Sequence, residues 1–161
     1  MRRLRSCAPP SAEGGPGATP TVEKGRVYLI SKWGDLFCFS ASDGEVIWKK
    51  QLREDAGVRI PTWGLNGSPT IVGDTIFLNA GTAGMALNKS DGRILWQSDE
   101  GDPGYSSPLP VDLGGTPALL LASGKNYLAV EPLTGKRIWP HRWITRYGVN
   151  AADPIVDGTR V

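Results

Sequence analysis

The chain has 161 residues, 40% of them hydrophobic, which is enough apolar material for a packed core, and its formal net charge is only +2. So small an imbalance leaves no electrostatic footprint for nucleic acid, and three of the basic residues, Arg2, Arg3 and Arg5, crowd into the first five positions. No apolar run reaches the length of a membrane-spanning helix, and 21 Gly with 13 Pro favour many short strands over long helices.

In chain order, residues 1–17 are rich in Gly, Pro, Ser and Ala and are expected to be disordered or foreign to the domain. Leu4-Arg5-Ser6-Cys7 has the outline of a lipoprotein cleavage site, but no hydrophobic stretch precedes it, and no signal peptide is visible. Strands are then predicted near 19–22, 26–31, 35–40 and 46–50. They are separated by turns at Glu23-Lys24-Gly25, Lys32-Trp33-Gly34 and Ser42-Asp43-Gly44, each holding a residue that tolerates tight reversal. The same alternation returns with turns at Val72-Gly73-Asp74, Ala80 to Ala83 and Ser90-Asp91-Gly92, and again at Leu113-Gly114-Gly115, Gly124-Lys125 and Leu133-Thr134-Gly135.

Two markers show that these are copies of one unit. Trp48, Trp96 and Trp139 each follow a small residue by ten positions (Cys38, Ala86, Ala129) and a polar one by eight (Ser40, Asn88, Glu131), with Asp/Thr-Gly between. A residue before proline (Thr19, Ser68, Ser107, Asp153) opens each copy, and 28, 27 and 31 residues separate the first three prolines from their tryptophans, room for four short strands. Repeated four-stranded antiparallel units in series predict an all-β protein, a β-propeller, since one such sheet cannot bury both its faces alone.

The frame Ala86-x-Asn88-x-x-Asp91-Gly92-x-x-x-Trp96, with its copy from Ala129 to Trp139, resembles the tryptophan-docking motif of quinoprotein-type propellers, the pyrroloquinoline quinone (PQQ)-like repeats. The resemblance spans residues 18–161 and implies seven or eight blades in a complete ring. On that reading 18–66 is a blade with its connection, 67–106 a second blade, 107–151 a third with its connection, and 152–161 the start of a fourth. Sheets left open at both ends imply further blades before Ala18 and after Val161. Trp48, Trp96 and Trp139, with Gly44, Gly92 and Gly135, are expected to be structural docking residues, because a residue found in every blade serves what every blade needs.

Topology sorts the loops. The second-to-third turns and the blade-to-blade connections share one rim, which receives Trp33, Trp63, Asn66, Tyr105, Ser106, Tyr147 and Asn150. These form a candidate ligand or partner rim, against the alternative that each aromatic plugs a seam while Asn and Ser cap turns.

No catalytic, cofactor-binding or metal site is assigned. Asp99, Glu100 and Asp102 read as a solvated acidic loop, His141 as an exposed loop histidine, and Cys38 as the small core residue of its repeat. Gly81-Thr82-Ala83-Gly84 lies between strands, the wrong context for a phosphate loop.

The resemblance implies a non-catalytic protein-interaction scaffold of the bacterial envelope, like the propeller lipoprotein of outer-membrane barrel assembly, periplasmic or extracytoplasmic, with protein partners and no cofactor. The alternative it implies is a fragment of a PQQ-dependent alcohol or sugar dehydrogenase with calcium. Adjacent cysteines of the kind those enzymes carry are missing, since Cys7 and Cys38 stand far apart. A sugar or peptide sensor using the same rim differs from the scaffold only in its ligand.

Overall fold

In the computed structural model, which describes residues 17–157, twelve strands form three four-stranded sheets, each an antiparallel meander in chain order. The first holds β1 (Thr21–Glu23), β2 (Arg26–Ile30), β3 (Asp35–Ser40) and β4 (Val46–Gln51). The second holds β5 (Thr70–Val72), β6 (Thr75–Leu78), β7 (Met85–Asn88) and β8 (Ile94–Gln97), and the third β9 (Leu109–Asp112), β10 (Pro117–Ala122), β11 (Asn126–Val130) and β12 (Arg137–Arg142). The expectations for 1–16, including Cys7, and for 158–161 lie outside the described residues. Strand β1 begins two residues later than its sequence suggests, because the Thr19 N–H leaves the ladder to donate to Ser68 Oγ of the next unit at 2.9 Å.

The turn before each tryptophan is built identically. Gly44, Gly92 and Gly135 sit at φ 75°, 72° and 70°, where a side chain is strained. Their N–H groups donate to Ser40, Asn88 and Glu131 carbonyls at 3.0, 2.9 and 2.8 Å. Asp43 Oδ1, Asp91 Oδ1 and Thr134 Oγ1 then accept from the N–H two residues on, at 2.9, 2.9 and 3.2 Å. A short polar side chain can close such a turn on itself, which is why Asp and Thr recur there.

The small residue ten before each tryptophan also has a physical reason. Cys38, Ala86 and Ala129 are the direct cross-strand partners of Trp48, Trp96 and Trp139, and the ladder shifts register immediately after each. A side chain larger than Ala or Cys would contend with the indole for the same patch of sheet.

Between sheets one and two, Tyr28, Ile30, Leu36 and Cys38 meet Ile76, Leu78, Met85 and Leu87; between two and three, Phe77 and Ala86 meet Leu119, Leu121, Leu128 and Val130. Removing each such aliphatic side chain from water contributes roughly 1.5–3 kcal/mol before entropy is charged against it. The indoles close these seams. Trp48 Nε1 donates to the Lys89 carbonyl at 3.1 Å and Trp96 Nε1 to the Pro132 carbonyl at 2.8 Å, the same position of the following unit. Each ring lies on the glycine of that unit's turn, Trp48 on Gly92 and Trp96 on Gly135, whereas Gly44 has nothing within 4 Å of where a Cβ would stand. A salt link ties the first seam at its edge: Lys89 Nζ reaches Glu23 at 2.9 Å and Asp74 at 3.4 Å.

Along the innermost strands the residues before proline form a relay. Thr19 N–H donates to Ser68 Oγ, Ser68 N–H to Ser107 Oγ at 3.0 Å, and Ser107 N–H to Asp153 Oδ1 at 2.9 Å. Beside it, Thr21 Oγ1 and Thr70 Oγ1 donate to the Pro69 and Pro108 carbonyls at 2.5 and 2.7 Å. Hydrogen bonds thus pass from each unit to the next at equivalent places, as successive blades of a propeller require.

A helix, α1 (Leu52–Ala56), occupies the first connection, where no helix was expected. Gln51 caps its start, accepting from Arg53 N at 2.8 Å, Gly57 at φ 64° ends it, and Leu52 is buried in the first core. No helix among the described residues is long and apolar enough to cross a membrane.

Candidate functional site

One rim of the fold carries a groove of about 710 Å³. Its walls come from the first connection (Arg59, Trp63), the second (Asp102, Tyr105), the β10–β11 turn (Lys125) with the start of β11 (Asn126), the start of β12 (Arg137) and the stretch after β12 (Ile144, Arg146, Tyr147). The loops among them are distant in sequence and meet because each leaves its sheet on the same side. A larger hollow of about 970 Å³ lies on the other rim, lined by apolar side chains such as Val72, Phe77, Leu133 and Ile138, and includes none of the candidate rim residues.

The structure divides the candidate residues by type. Trp63 and Tyr147 are 64% and 78% exposed and line the groove together with the half-buried Tyr105. The loop of Trp63 therefore holds its ring out of the seam between the first two sheets rather than in it. Trp33, 38% exposed, lies outside the groove, its carbonyl accepting from Gln51 Nε2 at 3.2 Å.

Their polar companions turn inward. Ser106 and Asn150 are each 2% exposed. Asn150 Nδ2 donates to Ser123 O at 2.8 Å and to Trp143 O at 3.0 Å, tying the connection after β12 to β10. Asn66 Nδ2 donates to the Trp63 carbonyl at 3.0 Å and so fixes the loop that presents the indole. Asn79, which follows β6 and which the sequence does not single out, makes a clamp of its own, donating to Ser106 O at 3.0 Å and Ala122 O at 2.8 Å. Its signal is weak because Ser31 and Ser123 take that place in the other units.

Electrostatically the groove is cationic. Arg59 Nε pairs with Asp102 Oδ1 at 3.5 Å, and the Arg146 guanidinium stacks 5.3 Å from the Tyr147 ring centroid. Burial pushes the Tyr105 phenol above its ordinary range, opposed by a hydrogen bond with the Trp63 backbone and reinforced by the nearby Asp102 charge. Asp99 and Glu100 stay apart, lining a small cleft with Arg59 and Gln97. His141 is exposed on β12 rather than in a loop, 6.3 Å from the Trp143 ring. Cys38 is buried and unpaired, and burial raises its thiol pKa.

Among the described residues no three His, Cys, Asp or Glu side chains converge as a metal site. The carboxylates present, Asp102 already held by Arg59, do not compose a donor set suited to calcium.

Comparison with known proteins places these features. Quinoprotein ethanol dehydrogenase of Pseudomonas aeruginosa is 27% identical over 154 residues, covering 85% of this chain and 25% of that protein. Outer membrane protein assembly factor BamB of Escherichia coli is 30% identical over 93 residues, covering 56% of this chain and 24% of its own. The chain thus spans about a quarter of the length of the curated relatives it matches. Among solved structures, quinohemoprotein alcohol dehydrogenase from Comamonas testosteroni superposes with a TM-score of 0.58 at 19% identity, over 80% of this chain and 21% of that one. BamB from Moraxella catarrhalis gives 0.54 at 18% identity, over 73% and 34%. These likenesses identify the fold as a set of β-propeller blades. The family profile described as outer membrane protein assembly factor BamB matches residues 5–161, and the chain belongs to this family of PQQ-like repeats.

Proposed function

We propose that these blades are a non-catalytic protein-interaction module, part of an extracytoplasmic scaffold of the kind that the name outer membrane protein assembly factor describes. The observation that carries this reading is the exposure of Trp63 and Tyr147 on the walls of an open, charged groove. Large aromatics beside arginines are what protein interfaces bury at their centres. A pocket built for chemistry on a small molecule would instead enclose its aromatics around converging acid, base or metal-ligating groups. The docking tryptophans and turn glycines serve the stack of blades, leaving the rim to the partner.

A second reading rests on the quinoprotein alcohol dehydrogenases among the relatives, with PQQ and calcium as cofactors. The blades described here contribute no carboxylate cluster to such a site, and Cys38 is buried in packing rather than adjacent to another cysteine. Calorimetric titration of the protein with PQQ and calcium separates the two. Heat of binding with submicromolar affinity supports the dehydrogenase; no binding, with capture of a protein partner that Trp63→Ala abolishes, supports the scaffold.

A further inference from the structure

Building on the interaction-module reading, we infer that the rim groove is a binding site for an acidic peptide segment carrying an apolar or aromatic side chain. Of the charged residues on its walls, Arg59 is already matched by Asp102, while Lys125, Arg137 and Arg146 are exposed and take part in no ion pair among the described residues. Asp99 and Glu100, the other acidic groups of the second connection, face the neighbouring cleft. The groove therefore presents three uncompensated cations beside exposed apolar surface, and a carboxylate-bearing segment meets both needs at once.

Geometry suits a peptide segment. Gly101, Gly124 and Gly148 let the loops of the groove pack closely, a Cβ at Gly101 running into the Thr82 side chain and those at Gly124 and Gly148 standing 3.5 and 3.3 Å from each other's carbonyl oxygens, so the walls from separate connections form one surface. Trp63 and Tyr147 supply flat apolar walls that are already fixed: the loop of one is tied by Asn66, and the ring of the other is stacked on Arg146. Three surplus cations suit a few carboxylates. They are too few for a nucleic-acid strand, whose affinity comes from neutralising many phosphates.

The test uses the 161-residue chain and a fluorescein-labelled decapeptide of alternating Glu, Gly and Phe, with a matched peptide in which every Glu is Gln. Anisotropy titration is expected to show the acidic peptide bound at least about tenfold more tightly, with the preference shrinking as salt rises from about 50 to about 300 mM. Lys125→Glu, Arg137→Glu and Arg146→Glu together abolish the preference, whereas Trp63→Ala weakens both peptides by about tenfold. Circular dichroism of each variant checks that the sheets persist. Equal binding of the two peptides, or a charge-reversed variant that still prefers the acidic one, overturns the inference while leaving the interaction module standing. So does displacement of the peptide by an oligothymidylate of equal length at equal concentration. Failure of the underlying reading shows separately, as PQQ binding in the calorimeter.

Discussion

Ala86 stands directly across the β7–β8 ladder from Trp96, and the indole it accommodates reaches the Pro132 carbonyl of the next sheet at 2.8 Å. One small residue in one strand thus decides whether the neighbouring blade is gripped. The repeat spacing in the sequence and the seam in the structure are the same fact at two scales.

Trp96→Ala is expected to cost on the order of 3–5 kcal/mol, since it empties a seam of a large ring. Trp96→Phe keeps most of the packing but leaves the Pro132 carbonyl without its donor, at about 1–2 kcal/mol. Trp63→Ala, on the rim, should fall within about 0.5 kcal/mol of the parent. Urea midpoints of the three variants check the order, and a rim variant as damaging as the seam variant would place Trp63 in a core.

Alanine at the three turn glycines should rank by what the new Cβ meets. At Gly135 it would stand 2.5 Å from Trp96 Cε3 and at Gly92 2.9 Å from Trp48 Cε3, while at Gly44 only the backbone strain applies. That strain alone is about 1–2 kcal/mol, so thermal unfolding should show Gly44→Ala as the mildest of the set.

Asn79→Ala strips the donors from Ser106 O and Ala122 O inside the second seam. The expected loss is about 1–3 kcal/mol. Hydrogen exchange should locate it, through faster exchange in β6 and β10 while the first sheet keeps its protection.

The Cys38 thiol has its pKa raised by burial, with Arg26 and Tyr28 opposing. Folding therefore loses nothing from this group below the unfolded thiol pKa of about 8.5 and becomes progressively less favourable above it, because only the unfolded chain ionises freely. Cys38→Ala, which copies Ala86 and Ala129, removes that term. Its urea midpoint should decline less than the parent's between neutral and alkaline pH, and identical declines would assign the effect to other groups.

The elements that recur were legible in the sequence, because three copies average out the context that misleads a single one. β3 begins and ends at the predicted Asp35 and Ser40, and the turn glycines fall where the Asp/Thr-Gly pairs stand. What occurs once was not legible. The α1 helix is capped by Gln51 rather than a Ser, Thr, Asp or Asn, and five residues are too few for a helical period to emerge. Asn79 has serines at its counterparts, so the clamp left no pattern. The pairing of Arg59 with Asp102 joins positions 43 apart in two irregular connections, where no local rule sets the approach. Trp63 and Tyr147 were picked out by residue type, but their outward orientation depends on loop paths that hydrophobic spacing does not encode.

The relay through Thr19, Ser68, Ser107 and Asp153 shares no residue with the groove. Recognition and cohesion are consequently written in separate alphabets. Mutation can redraw what the loops select while the chassis beneath keeps its strength, giving such a molecule latitude to acquire new clients without first being rebuilt.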